Sequence, residues 1–304
     1  MSKKLVSLML ALALLIGCVP AFAEGGLTVT DMTGREITLE GPADKIVALT
    51  ASDVEIIYAL GAGDKLVGRG EYCDYPAEVL EKPVVKSGAE TNLEEILALE
   101  PNVVIMATMA QTEDQVKALE DAGVKVIVSD AQNLEGVYTA ISLIGQVVGK
   151  DAEAAAMIQG MKDTFEEIKA KAEPTGKTIY FEVSPLAWGL WAGGKGTFMD
   201  ELAEICGLTN AFADVTGWGE ISEEQVFEKD PDYIVTTSMY YGEGPTPVEE
   251  IMGRPGWEQL KAVQNKQIFN ADSNAITRPG PRLADAVKAL YDFVYGAEEE
   301  APAA

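Results

Sequence analysis

The sequence predicts an α/β fold of two lobes, each built on a parallel sheet and joined by one long rigid helix. Three observations lead there. Short β-branched runs alternate with helical patterns along the whole chain. The stretch Asp151–Ala172 reads as an uninterrupted helix between two such halves. Part of the first half also recurs in the second: Glu94-Glu95-Ile96 … Pro101-Asn102-Val103-Val104-Ile105 matches Glu224-Gln225-Val226 … Pro231-Asp232-Tyr233-Ile234-Val235. Each copy is a short helix, a proline break and a buried strand. That connection is common in α/β proteins, so the repeat supports two related, Rossmann-like lobes without proving them.

In the first half, strands are expected at Lys45–Leu49, Leu66–Gly68, Asn102–Ala107 and Val124–Ser129. Helices are expected at Asp53–Leu60, Leu93–Leu99 and Glu113–Ala122. Gly61, just past the last apolar position of the first of these, ends it as a glycine C-cap does. In the second half the strands fall at Thr178–Val183, Tyr233–Thr237 and Gln267–Asn270, and the helices at Phe198–Cys206, Glu223–Lys229 and Arg282–Tyr295. The central helix carries an apolar stripe of Ala154, Met157, Ile158, Met161, Phe165 and Ile168, with Asp151 read as its N-cap. Pro174 and Gly176 end it, and it makes a rod of roughly 33 Å, about one domain across. A flexible hinge would be rich in Gly or Ser; this connector is stiff, so small lobe motions are expected. The domain plan is therefore a leader over 1–23 or 1–17, a first lobe at 27–149, the helix at 150–173, a second lobe at 176–296 and an acidic tail at 297–304.

The leader reading rests on Lys3 and Lys4 followed by the apolar run Leu5–Ile16, too short to cross a bilayer but long enough for an export signal. Two processing sites remain open. Leu15-Ile16-Gly17-Cys18 resembles a lipobox, which would make a lipidated Cys18 the first residue; Ala21-Phe22-Ala23 before Glu24 is the pattern of ordinary signal cleavage. The expected location is accordingly periplasmic or on the outer face of the cytoplasmic membrane.

Composition removes several functions. A formal net charge of −26 would repel nucleic-acid phosphate. There is no histidine, so His-based acid–base chemistry, Ser-His-Asp and Cys-His nucleophiles and the common His-containing zinc and haem sites are out of reach. Beyond Cys18 only Cys73 and Cys206 exist, with no metal-ligand spacing and too few thiolates for a four-thiolate cluster. They are expected to be unpaired, one in each lobe. No bound metal and no cofactor is expected.

The run Lys45-Ile46-Val47-Ala48-Leu49 … Glu55-Ile56-Ile57-Tyr58-Ala59-Leu60-Gly61-Ala62-Gly63-Asp64-Lys65-Leu66-Val67-Gly68 … Glu71-Tyr72-Cys73-Asp74-Tyr75-Pro76 resembles the opening of the binding proteins that serve vitamin B12 and iron–siderophore ABC importers. Asn92-Leu93-Glu94, Gly194-Lys195-Gly196-Thr197-Phe198, Gly217-Trp218-Gly219-Glu220 and Arg278-Pro279-Gly280-Pro281-Arg282 continue the resemblance in order, over about residues 27–296. It implies a monomeric receptor, not an enzyme, that captures a cobalt corrinoid or ferric siderophore complex between its lobes. Its partners would be a membrane permease and, through it, an ATPase subunit.

The resemblance places Tyr72 and Trp218 at ligand-contacting positions. The residues agree: aromatic rings offer large contact area at low entropic cost. Trp188 and Trp191, in the glycine-rich turn Trp188-Gly189-Leu190-Trp191-Ala192-Gly193-Gly194, and Tyr240 and Tyr241, after a strand, are further lining candidates, with plain packing as the alternative. Asp272 could accept from an amide-bearing ligand. Arg278 could contact an anion or cap a carbonyl of its own loop. Gly88 stands where siderophore binders of this kind place arginine and B12 binders tryptophan, and only five arginines exist in all: Arg35, Arg69, Arg254, Arg278 and Arg282. A strongly anionic catecholate complex is therefore disfavoured. For docking on the permease, the resemblance puts one acidic residue on each lobe, at Glu113 and Glu224. The internal repeat offers Glu94 as a rival to Glu113. The competing function is an extracytoplasmic carboxylate enzyme such as a glycosidase, for which no spacing singles out a pair.

Overall fold

The computed structural model describes residues 26–296 apart from 89 and 109–111. The leader, Cys18 and the acidic tail lie outside the described residues. A hairpin not foreseen in the sequence comes first, β1 (Leu27–Thr30) antiparallel to β2 (Glu36–Leu39). Its turn is organised by Asp31, which accepts from the Thr33 hydroxyl at 2.7 Å and from Arg35 Nε at 3.0 Å. The first sheet follows: β3 (Ile46–Ala48), β4 (Leu66–Gly70), β5 (Val84–Val85), β6 (Val103–Met106) and β7 (Lys125–Val128), in the order β5-β4-β3-β6-β7 and parallel throughout. Its central strands are runs of fully buried Val, Ile and Met, as a sheet covered on both faces requires. The covering helices are α1 (Ala51–Ala59), α2 (Leu93–Ala98), α3 (Glu113–Asp121) and α4 (Leu134–Val148).

Helix α4 is the largest element the sequence reading leaves out. Its run of Gly, Val, Thr and Ile has weak helix propensity, and burial supplies what propensity does not. Asn133 caps it, accepting from the Gly136 N–H at 2.8 Å. The connector α5 (Asp151–Lys171) follows almost at once and runs 21 residues. Lys150, not Asp151, occupies its N-cap position and makes no side-chain cap; Asp151 sits one place inside, where its charge still meets the helix dipole. Ala154, Met161, Phe165 and Ile168 are buried, against α4 on one side and the second lobe on the other.

The second sheet contains β8 (Thr178–Ser184), β9 (Trp191–Gly193), β10 (Thr209–Asn210), β11 (Trp218–Glu220), β12 (Tyr233–Thr236) and β13 (Ile268–Asn270), ordered β11-β9-β8-β12-β13 with β10 beside β8. Strands β8, β10, β12 and β13 are parallel, and β9 pairs antiparallel with both β8 and β11, so the second sheet is mostly parallel with an antiparallel edge. A hairpin folds the glycine-rich segment back on β8; three-residue strands with a glycine in each lie below what periodicity can detect. Around this sheet lie α6 (Phe198–Ile205), α7 (Glu223–Lys229), α8 (Pro247–Met252), α9 (Lys261–Gln264), α10 (Ser273–Thr277) and α11 (Leu283–Tyr295).

The lobes share one apolar core, which runs without a break from Ile46 and Ile57 through Ile144 and Phe165 to Phe198 and Leu290. A polar clamp closes one side of the junction. The carboxylate of Glu55, on α1, accepts from Arg278 Nη1 at 2.8 Å and from Arg282 Nε and Nη2 at 2.8 and 2.7 Å. Arg278 also reaches Asp74 at 2.7 Å, and Arg282 lies over the Tyr75 ring. Arg278 thus ties the lobes together through Glu55 and Asp74. Glu55→Ala would leave two mostly buried guanidinium groups short of a counter-charge, which costs about 3–5 kcal/mol when a buried pair is broken. Urea unfolding should show that loss with the slope unchanged, and Glu55→Gln should lose less.

Candidate functional site

Parallel strands end in loops, and ligands of α/β proteins gather outside those carboxyl ends. Here the carboxyl ends of β3, β6 and β7 and one wall of the second sheet enclose an open cavity of about 470 Å³. Thr50 and Ser52 follow β3, Ala107 and Thr108 follow β6, and Ser129, Asp130, Ala131 and Gln132 follow β7. The second lobe contributes Val183, Phe198, Trp218, Thr277 and Pro279. One half of the wall is therefore hydroxyl- and acceptor-rich, and the other is apolar and aromatic.

Trp218 is the sequence candidate that lies in this wall. Its place on β11 opposite Gly193 sets the indole against Phe198, with ring centroids 5.3 Å apart. Indole Nε1 donates to Gln132 Oε1 at 3.0 Å, across the cleft from one lobe to the other. Gln132 Nε2 donates to Asp130 Oδ1 at 2.9 Å, and the Thr108 hydroxyl donates to Asp130 Oδ2. A hydrogen-bonded chain thus runs Trp218, Gln132, Asp130, Thr108. The Gln132 carbonyl also accepts from Phe198 N at 2.9 Å, and Glu201 accepts from Leu134 N at 2.6 Å. Residues 132–134 are therefore where the second lobe's α6 grips the first.

The other candidates are not in this wall. Tyr72, Trp188 and Tyr241 are 79%, 83% and 84% exposed, and Trp191 and Tyr240 are also exposed. The Tyr72 carbonyl accepts from Arg278 Nη2 at 3.2 Å, Tyr240 reaches the Gly244 carbonyl and Tyr241 the Met239 sulfur. Trp191 opens β9, between Ser184 and Glu220. Asp272 caps α10, accepting from Ala275 N at 3.2 Å, and stands 3.8 Å from Arg282. Gly88 has a φ of 89°, left-handed backbone that an arginine or tryptophan would strain, and its carbonyl accepts from the Thr91 hydroxyl. Cys73 and Cys206 are buried, free thiols, each pushed up to about 12 by burial.

Glu113 and Glu224 are exposed in the first turns of α3 and α7. Both helices open on a capping box, Thr112 with Gln115 and Ser222 with Gln225. Backbone and Ser222 hydrogen bonds hold the Glu224 carboxyl below its ordinary range. The capping boxes align Glu113 with Glu223, whose carboxylate is taken by Trp257 Nε1 at 2.7 Å, so the two lobes are offset by one residue here. Glu94 is exposed at the second position of α2, the same place Glu224 has in α7.

Behind the wall sits Asp53, 1% exposed. The Ser129 and Thr50 hydroxyls hydrogen-bond to it, but one carboxylate oxygen has no partner. Burial is the main cause that pushes its carboxyl up to about 7, with Asp130 adding to the rise. The folded protein therefore holds a proton that the unfolded chain releases near 3.8. Stability from this group is complete below that value and is lost as pH rises through about 7. Asp53→Asn should remove the loss. In urea titrations the variant should gain on the wild type between pH 4.5 and 8 by about 2–4 kcal/mol, and parallel pH profiles would contradict the assignment.

Comparison with known proteins places this geometry. Residues 46–275 match the family model described as periplasmic binding protein. The chain is 36% identical to an uncharacterized ABC transporter substrate-binding lipoprotein of Bacillus subtilis (strain 168), over 88% of this chain and 85% of that one. It is 27% identical to a vitamin B12-binding protein of Vibrio cholerae serotype O1, over 85% of this chain and 92% of that one. The crystal structure of a possible iron-binding (periplasmic solute-binding) protein from Staphylococcus epidermidis superposes with a TM-score of 0.69 at 29% identity, covering 83% of this chain and 99% of that one. With two α/β sheets facing one cleft and a family match across both, the chain belongs to the periplasmic binding protein family.

Proposed function

We propose that this protein captures a corrinoid or iron–siderophore complex in the cleft between its lobes and delivers it to the permease of an ABC importer. The observation that carries the reading is Trp218. A half-buried indole forms the aromatic wall of a cavity whose opposite wall offers hydroxyls and acceptors. That pairing suits a large ligand with a flat or greasy face and a polar rim. The exposed rings of Tyr72, Trp188, Trp191, Tyr240 and Tyr241 remain further ligand-contacting candidates outside this wall. A vitamin B12-binding protein and a possible iron-binding protein among the similar chains support the ligand class. An enzyme of the two-carboxylate kind is poorly served, because among the described residues Asp130 is the one carboxylate in the wall. Asp272 and Arg278 take structural roles in this reading.

The similar Bacillus protein is a lipoprotein, which favours Cys18 as the processed and lipidated residue and an anchor on the outer face of the membrane. Among the described residues no helix is long and apolar enough to cross a membrane. Glu113 and Glu224 are the docking residues, one on each lobe, steering the encounter with permease arginines while adding nothing to ligand affinity.

Two measurements test this. Burial of an aromatic ring against a ligand contributes about 1–3 kcal/mol, so Trp218→Ala should weaken corrinoid or siderophore binding about tenfold to a hundredfold by calorimetry. Tight binding of a sugar or amino acid instead would replace the ligand class. The double variant Glu113→Arg, Glu224→Arg should bind ligand normally yet fail to stimulate transporter ATPase in reconstituted vesicles; normal stimulation would shift the docking role to Glu94 and Glu201.

A further inference from the structure

All five arginines of the chain are held by its own groups. Arg35 pairs with Asp31 and Glu120, and Arg254 pairs with Glu182 and Glu250. Arg69 donates to the Cys73 carbonyl at 2.9 Å. Arg278 and Arg282, the two that reach the lobe junction, converge on Glu55. Among the described residues no lysine or arginine lines the cavity between the sheets. Its polar wall carries the Asp130 carboxylate, and the buried Asp53 lies behind Thr50 and Ser129 with an oxygen that nothing satisfies.

We infer that Asp130 makes the cleft select by charge, so that it accepts neutral or cationic complexes bearing N–H or O–H donors and rejects polyanionic ones. The inference rests on the reading of the cleft as a metal-complex receptor and narrows it. Each Asp130 oxygen already accepts one hydrogen bond, from Gln132 and from Thr108, and a carboxylate oxygen can accept a second. Those two protein donors fix the orientation of the carboxylate and leave its free lone pairs for a ligand amide or ammonium. A trianionic ligand would meet this charge, a net charge of −26 around it and, among the described residues, no arginine or lysine in the cavity wall to neutralise it. Buried anions need such partners. Releasing Arg278 or Arg282 to supply one would remove one of the two counter-charges of Glu55, so the clamp that joins the lobes also holds both arginines away from the site.

A charged panel of probes tests this by calorimetry: neutral cyanocobalamin and ferrichrome, cationic ferrioxamine B, and trianionic ferric enterobactin. The wild type should bind a neutral or cationic member at least a hundredfold more tightly than the trianion. Asp130→Asn should weaken ferrioxamine B about fivefold to tenfold relative to the neutral members, as removal of one partly exposed counter-charge does. Because that variant also disturbs Thr108 and Gln132, Thr277→Lys on the opposite wall provides an independent arm. It should bring up ferric enterobactin affinity and lower that of ferrioxamine B, with both effects fading as salt rises. Equal or preferred binding of the trianion by the wild type, or affinities blind to charge in both variants, overturns charge selection while leaving the receptor reading intact. Binding of no member of the panel overturns the receptor reading, and charge selection with it.

Discussion

The crossing of α4 and α5 sets the distance between the lobes. At Gly145 a β-carbon would come within 2.5 Å of the Ala154 β-carbon, so the two helices meet backbone to backbone. That contact anchors the connector to the first sheet over its first turn. Farther along, Met161, Phe165 and Ile168 are buried in the core that both lobes share. A helix held at both ends by packed side chains cannot bend freely without opening that core, and packed interiors resist such deformation. The cleft is further tied across by the bond from Trp218 Nε1 to Gln132 Oε1 at 3.0 Å.

Helix α1 shows how environment alone gives two neighbouring carboxylates different work. Asp53 and Glu55 are both buried on it, two residues apart. Glu55 faces two guanidinium groups delivered from the far end of the chain and becomes a bridge between lobes. Asp53 faces hydroxyls, a thiol and another carboxylate, with no cation at hand, and burial keeps its proton on. The apolar helix around them reads as an ordinary core segment in the sequence.

The fold class was legible because it depends on patterns that a chain displays locally. Strands β3, β6, β7, β8 and β12 are buried apolar runs bounded by turn residues, and α5 announces itself by spacing and by Pro174. What escaped was what tertiary contact decides. Helix α4 carries an apolar face of Leu134, Val137, Ile141, Ile144 and Val148, but its Gly, Thr and β-branched residues argue against a helix by propensity, and β9 and β11 are pinned by pairing across the hairpin. The cavity wall was partly legible. Trp218 stood out as a tryptophan in a glycine-rich loop, whereas Thr108, Asp130 and Gln132 are unremarkable residues in sequence. Their only signal was position, immediately after parallel strands, and that signal needs the strand order to be known. The partners of Arg278 were hidden for the same reason, since they lie more than two hundred residues upstream.

The cap on α4 has a consequence for how the chain is made. The first N–H of that helix is satisfied by Glu201, contributed by α6 of the other lobe. Chains emerge amino end first, and the parts already made ordinarily begin to fold. Here the first lobe caps its largest helix with its own Asn133, but one N–H at the helix entrance and part of its apolar face meet their partners in the second lobe only well past the midpoint of synthesis. A polypeptide that must be threaded through a membrane before folding gains from such a delay. Dividing one helix's completion between distant segments keeps the early part of the chain pliable during passage and lets it close once the late part arrives.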